Sequence, residues 1–242
     1  MPFSPAPFPK NETERLAALQ SYDVLDTFPE EAYDDITLLA SSLCKTPISL
    51  ISFVDEKRQW FKSKIGITVD ETPRDVAFCA HAVLTSALFE IVDAQTDERF
   101  SDHPFVLENP KICFYAGAPL VDSEGFALGT LCVIDTEPRT LNMDQRHVLE
   151  ALARQIVSQL QLRKNTRELQ RQNQKMKELF ELKEISLFEL EVHRKALFYC
   201  SKMAILGTMS AGIAHEINNP LAILSGRVQQ IKDQVNRGTE KK

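Results

Sequence analysis

A chain of 242 residues that is 43% hydrophobic and 26% charged has ordinary globular composition, sufficient for one well-buried domain and an extended element. A formal net charge of -6 disfavours nucleic acid as a partner. No apolar run approaches the ~20 residues of a membrane span, and Pro2, Pro5, Pro7 and Pro9 leave no room for a signal-peptide core, so the reading is a cytoplasmic protein. Cys44, Cys79, Cys113, Cys132 and Cys200 show no Cys-x-x-Cys spacing, which argues against a zinc site or a disulfide framework, and no metal is expected.

Residues 1–11 read as a flexible, proline-rich arm. Asn11 and Glu14 make a capping-box pattern that opens a short helix through Gln20, with Leu16 and Leu19 on one side. Thr27 is expected to cap a second helix, with Pro29 in its first turn, Glu30 at its third position and a buried stripe of Ala32, Ile36, Leu39, Ala40 and Leu43. Pro47–Val54, the polar Asp55–Lys57 and Gln59–Ile65 read as strand, turn and returning strand. The helical pattern returns over Pro73–Leu84 with Val76, Ala77 and Ala80 inward. A short strand at Leu88–Val92, a helical turn at Asp97–Phe100 and a loop from His103 to Pro110 follow. Two further strands, Ile112–Val121 and Phe126–Ile134, are joined by Asp122–Gly125, whose glycine supplies the positive φ of a tight hairpin. Helices interleaved with hairpins argue an α+β fold with a mostly antiparallel sheet.

The unit from 12 to 159 resembles a GAF sensor domain. The stretches that carry the resemblance are Leu25–Thr27 with Asp34–Ile36, Ile51–Phe61, Phe78–His81 and Gly129–Asp135. The resemblance implies a GAF-type antiparallel sheet flanked by helices, with a pocket between the middle helix and the sheet. Phe78, Cys79, His81, Phe114 and Tyr115 are its candidate lining. The family includes cyclic-nucleotide, haem and bilin binders and a methionine sulfoxide reductase, so the ligand stays open. The family's cyclic-nucleotide signature, Asn-Lys-x-n-Phe-x-x-x-Asp-Glu, is absent. Cys79 and His81, two apart on a helix, point to different sides and make no natural metal pair. Haem ligation by His81 or His103, and redox sensing by Cys79, Cys113 or Cys132, compete with plain structural roles for these residues.

Asn142 and Gln145 offer another cap, after which no helix breaker appears until Gly207. Leu149, Leu152 and Ile156 face the sensor or a partner helix. Over 160–200, Leu169, Asn173, Met176, Phe180, Leu187, Leu190 and Leu197 step by threes and fours as the a and d seam of a coiled coil, with Thr166, Lys183 and Arg194 weakening it. Such a helix would carry a signal on the order of 100 Å.

Near the end, Ser210–Leu221 places His215, Glu216 and Asn219 at i, i+1 and i+4 of a helix, so the imidazole and the amide share a face beside a carboxylate. A neutral imidazole oriented by a carboxylate suits a phosphoryl acceptor, and Pro220 removes the rung that would bond the Glu216 carbonyl. The bland alternative is an exposed histidine on an amphipathic helix. These residues, with Lys202–Thr208 before them and Ala222–Gly226 after, resemble the H-box of sensor histidine kinases, the first helix of their HisKA dimerisation and phosphotransfer domain. The resemblance implies, for 201–242, His215 as phosphoacceptor, Glu216 as its orienting acid or base, and Asn219 as the amide that aligns water when the partner aspartyl phosphate is hydrolysed. It also implies a homodimer, a response-regulator receiver domain as partner, and ATP with Mg²⁺ held by an ATP-binding domain not seen by Lys242, without which the chain should be inactive as a kinase. The competing expectations are a non-enzymatic ligand-binding GAF dimer and a cysteine-based reductase, the latter disfavoured because no cysteines pair at suitable spacing.

Overall fold

The apolar, β-branched run Ile48–Val54 forms β1, and Arg58–Ile65 returns beside it as β2, with the polar turn between them. In this computed structural model, which describes residues 3–205 and 213–239, they belong to a six-stranded sheet completed by β3 (Glu71–Pro73), β4 (Phe89–Ile91), β5 (Phe114–Val121) and β6 (Ala127–Asp135). The strand order is β3-β2-β1-β6-β5-β4 and every pairing is antiparallel. The β5–β6 hairpin turns as expected: Gly125 has φ +89°, and the Asp122 carboxylate accepts from the backbone N–H groups of Glu124 and Phe126.

Period-two alternation gives the sheet two apolar faces. Ile51, Phe53, Phe114, Ala116, Leu131 and Val133 face α1 (Glu12–Ser21), α2 (Glu31–Cys44) and the start of α5 (Met143–Ile205). Ile48, Leu50, Phe61, Tyr115, Cys132 and Ile134 face the other way, under α3 (Phe78–Ala82), α4 (Pro104–Leu107) and their connecting loops. The segment expected as one helix over Pro73–Leu84 divides into β3, a single 3₁₀ turn at Arg74–Val76 and α3. The segment read as a loop from His103 to Pro110 contains α4, which Pro104 opens.

The helical stripes also differ from expectation. On α1 the Asn11 side chain makes no cap bond, and the buried positions are Leu19 and Arg15. Arg15 is 1% exposed; its guanidinium donates to both Glu12 oxygens and to the Val54 carbonyl, which satisfies a charge on a core-facing position. Glu30, not Thr27, is the N-cap residue of α2. Its buried stripe is Tyr33, Ile36, Thr37, Ala40 and Cys44, leaving Leu39 and Leu43 exposed. The two possible stripes share Ile36 and Ala40, and the one that carries the Tyr33 ring packs into the core with Phe53 and Trp60. Thr27 instead donates to the Val24 carbonyl and accepts from Lys62.

Asn142 and Gln145 form the expected reciprocal cap at the head of α5: the Gln145 N–H donates to Asn142 Oδ1 and the Asn142 N–H to Gln145 Oε1. Leu149, Ala153, Ile156 and Leu160 are buried against the sheet, whereas Leu152 is half-buried. The chain divides into two compact units, Met1–Arg167 and Glu168–Lys242.

In the second unit α5 continues to Ile205 and α6 spans Ile213–Thr239, with Pro220 inside it. Lys232 pairs with Glu189 at 2.8 Å. Half-buried Ile185, Val192 and Ala196 on α5 and Ile217, Leu224 and Val228 on α6 mark the faces turned inward. The described helices therefore run back alongside one another, instead of α6 prolonging α5 in a straight line. The expected seam residues Leu169, Met176, Phe180, Leu187, Leu190 and Leu197 are all more than half exposed in the single chain. Gly207 and Gly212 lie outside the described residues. Among the described residues, no helix is long and apolar enough to cross a membrane.

Candidate functional site

On the α3 side of the sheet lies a cavity of about 370 Å³, within the range of small-molecule sites. Its floor comes from β1, β2, β5 and β6 through Ile48, Leu50, Phe61, Tyr115 and Ile134. Its walls come from Ile67–Val69, Val76–Cys79, Phe105 and the Asn109–Ile112 segment. The lining is mostly apolar, with Gln59, Thr68, Thr72 and Asn109 as its polar residues. Gln59 is 5% exposed and its amide oxygen has no hydrogen-bond partner. A buried amide oxygen left unpaired costs roughly 1–3 kcal/mol, and this one has essentially no surface open to the cavity.

Of the five residues expected at this pocket, Phe78, Cys79 and Tyr115 line it. Phe114 does not: it is adjacent to Tyr115 on β5, so it projects to the opposite face and joins the helix-covered core. His81 is also absent from the lining and sits edge-on to Phe100, with ring centroids 4.9 Å apart. Strand alternation allows only one of Phe114 and Tyr115 to line the pocket but does not say which. Gln59 and Phe61 were missed because nothing in the sequence says which face of β2 borders a void.

The aromatic residues around the cavity form a stacked series. Phe78 lies 4.8 Å from Phe100, 5.4 Å from Tyr115 and 4.5 Å from His103. His103 is 1% exposed and both its ring nitrogens are engaged, one against the Val76 carbonyl and the other accepting from the Phe105 N–H. Burial pushes its pKa down to about 4, so it is a neutral structural imidazole with no free nitrogen for an iron.

At the cavity wall the structure brings together two thiols 53 positions apart in sequence. Cys79 Sγ of α3 lies 3.8 Å from Cys132 Sγ of β6, and the Tyr115 hydroxyl donates to Cys79 Sγ at 3.2 Å. Beneath them Ser52 and Thr130 hydroxyls meet at 3.1 Å. Burial tends to raise the Cys79 pKa, but the polar groups around its sulfur, Cys132, Ser52, Thr130 and the Tyr115 hydroxyl, outweigh it and hold this thiol below its ordinary value. Cys132 is pushed the other way, by burial and by its proximity to Cys79. Spacing rules built on Cys-x-x-Cys could not find this pair, because a helix and a strand supply one thiol each.

In the second unit, His215, Glu216 and Asn219 fall within α6, which places the three backbone positions within about one turn. Asn219 and Pro220 are exposed.

The chain is 43% identical over 162 residues to a cyclic di-GMP phosphodiesterase of Pseudomonas aeruginosa, a match covering 66% of this chain and 27% of that protein. It is 33% identical over 88 residues to a C4-dicarboxylate transport sensor protein of the same organism, covering 35% of this chain and 14% of that one. The chain thus spans about a quarter or less of the length of these relatives. Among solved structures it is similar to the GAF domain of an Acinetobacter phosphoenolpyruvate-protein phosphotransferase, at 14% identity and a TM-score of 0.46, covering 63% of this chain and 94% of that one. The family model described as the GAF domain matches residues 29–160, more than half of the sequence, and the chain belongs to the GAF domain family.

Proposed function

We propose that the cavity takes a small, largely apolar molecule, and that its occupancy controls phosphorylation of His215 as in a cytoplasmic two-component histidine kinase. The observation that carries the sensor half is the mostly apolar void of ligand size, lined by Gln59 together with Phe61, Phe78 and Tyr115. The output half rests on the His215-Glu216-Asn219-Pro220 register within α6. In this reading His215 accepts the phosphoryl group, Glu216 orients its imidazole, and Asn219 aligns water for the reverse, hydrolytic reaction. ATP with Mg²⁺ is the phosphoryl donor, presented by an ATP-binding domain, and a response-regulator aspartate is the acceptor. One relative is named as a transport sensor protein and another as a cyclic di-GMP phosphodiesterase, which fits a sensor that serves different outputs.

A second reading, a ligand-binding dimer without phosphotransfer, is favoured by the exposed apolar seam from Leu169 to Leu197, which a second copy of the chain would cover. One experiment separates the two. The chain is incubated with radiolabelled ATP and an isolated histidine-kinase ATP-binding domain, as wild type and as His215→Gln. Label that is acid-labile, base-stable and lost in His215→Gln supports phosphotransfer. Equal label in both, or none in either, leaves the ligand-binding dimer. Native mass spectrometry of wild type and Gln59→Leu tests the sensor half: added mass retained equally by both would refute the role of Gln59.

A further inference from the structure

We propose that Cys79 and Cys132 are a peroxide-reactive dithiol, in which a small hydroperoxide entering the cavity is reduced and the two thiols close to a disulfide. This inference does not depend on the organic ligand or on phosphotransfer.

Three geometric facts carry it. The sulfurs are 3.8 Å apart, so about 2 Å of approach makes a disulfide bond. Cys79 forms part of the cavity wall, whereas Cys132 lies behind it on β6 and is absent from the lining, which assigns different tasks to two otherwise identical thiols. The Tyr115 hydroxyl is held on Cys79 by the strand itself: a Cβ at Gly117, two residues along the same face, would lie 2.3 Å from that oxygen. Glycine at 117 therefore leaves the space that the phenol occupies. A hydroxyl donating to sulfur favours the thiolate over the thiol, and the thiolate is the nucleophile toward peroxide oxygen.

The chemistry balances with a hydroperoxide as the oxidant. The Cys79 thiolate attacks the outer oxygen; an S–O bond forms, the O–O bond breaks, and the departing alkoxide takes up the proton that Cys79 gave up. Cys132 then attacks the sulfenic sulfur; an S–S bond forms, the S–O bond breaks, and the oxygen leaves as water with the Cys132 proton. Two thiols and one hydroperoxide give one disulfide, one alcohol (water, for hydrogen peroxide) and one water. The disulfide would pin α3 to β6 and draw Cys79 away from the cavity wall.

The test is hydrogen peroxide at one equivalent on the reduced full chain carrying Cys200→Ser, which removes the exposed cysteine. Intact mass and mapping of alkylated peptides follow with time. The expected result is loss of two hydrogens from the intact mass and a linked Cys79–Cys132 peptide. Cys132→Ser is expected to stop at a Cys79 sulfenic acid trapped by dimedone, and Tyr115→Phe to slow the first step by about tenfold, the loss of one hydrogen bond to a charged acceptor. Cys79 and Cys132 that remain reduced while free glutathione in the same tube is oxidised would overturn the proposal. So would oxidation of Cys79 to sulfinic acid with Cys132 untouched. Both readouts come from the wild-type pair, so a variant that fails to fold does not remove the test.

Discussion

Substituting Glu30 by glutamine removes the charge that faces a buried ammonium of the sensor unit while keeping side-chain size. Lys62 on β2 has a side chain with no solvent exposure, and its ammonium donates to Thr27 Oγ1 at 2.8 Å, the Phe28 carbonyl at 2.7 Å and Glu30 Oε1 at 2.6 Å. Arg163 of α5 pairs with the same Glu30 oxygen, so one carboxylate ties the cap of α2 to a central hairpin and to the outgoing helix. Removing one partner of a fully buried pair costs about 3–5 kcal/mol. Glu30 is 40% exposed, and the ammonium would keep two neutral oxygens, which lowers the expected cost to about 2–3 kcal/mol. For a unit of this size that corresponds to a fall in Tm of roughly 5–10 °C, read by circular dichroism or calorimetry. Lys62→Met in the Glu30→Gln background is expected to cost at least about 1 kcal/mol less than in wild type, because the buried ammonium that lost its carboxylate is then gone. Glu30→Gln within about 0.5 kcal/mol of wild type, or a strictly additive cycle, would refute the reasoning. The pH dependence has a definite sign. Burial tends to raise the Glu30 pKa, but its bonds with Lys62 and Arg163 prevail and hold it below the ordinary 4.5. Its stabilisation is therefore present above that value and is lost as pH falls through the lower, folded-state pKa.

Gly117→Ala should displace the Tyr115 ring and hydroxyl and destabilise the unit by about 1–3 kcal/mol; adding Tyr115→Phe should recover only part of that loss, because the ring carbon that bore the hydroxyl still lies 2.8 Å from the new Cβ, and a chemical-denaturation series would read this directly. Asn142→Ala should cost about 1 kcal/mol by breaking the reciprocal cap of α5, and an unchanged denaturation midpoint would show that the cap contributes nothing in this context.

Much of the sensor was legible because its signals are local. The hairpins at Asp55–Lys57 and Asp122–Gly125, the Asn142–Gln145 cap and the antiparallel character of the sheet each follow from a few neighbouring residues whose geometry admits one arrangement. Helix faces were less legible. Arg15 was not recognised as buried, because a guanidinium is admitted to a core only when Glu12 and the Val54 carbonyl are already in place, and β1 supplies the latter from 39 positions away. Leu39 and Leu43 were assigned inward since they fit a helical period, yet the competing stripe on Tyr33 satisfies the same period and is the one that packs into the core.

By itself the sequence determined the α+β class, the GAF resemblance, and the helical register that sets His215, Glu216 and Asn219 together, since these depend on periodicity and turn chemistry over short spans. Only the tertiary structure decided that Phe114 turns away from the cavity while Tyr115 enters it, that the Gln59 oxygen is left without a partner, and that Cys79 meets Cys132. Each of those depends on which strand lies beside which, and the β3-β2-β1-β6-β5-β4 order brings together segments that no local rule of spacing connects.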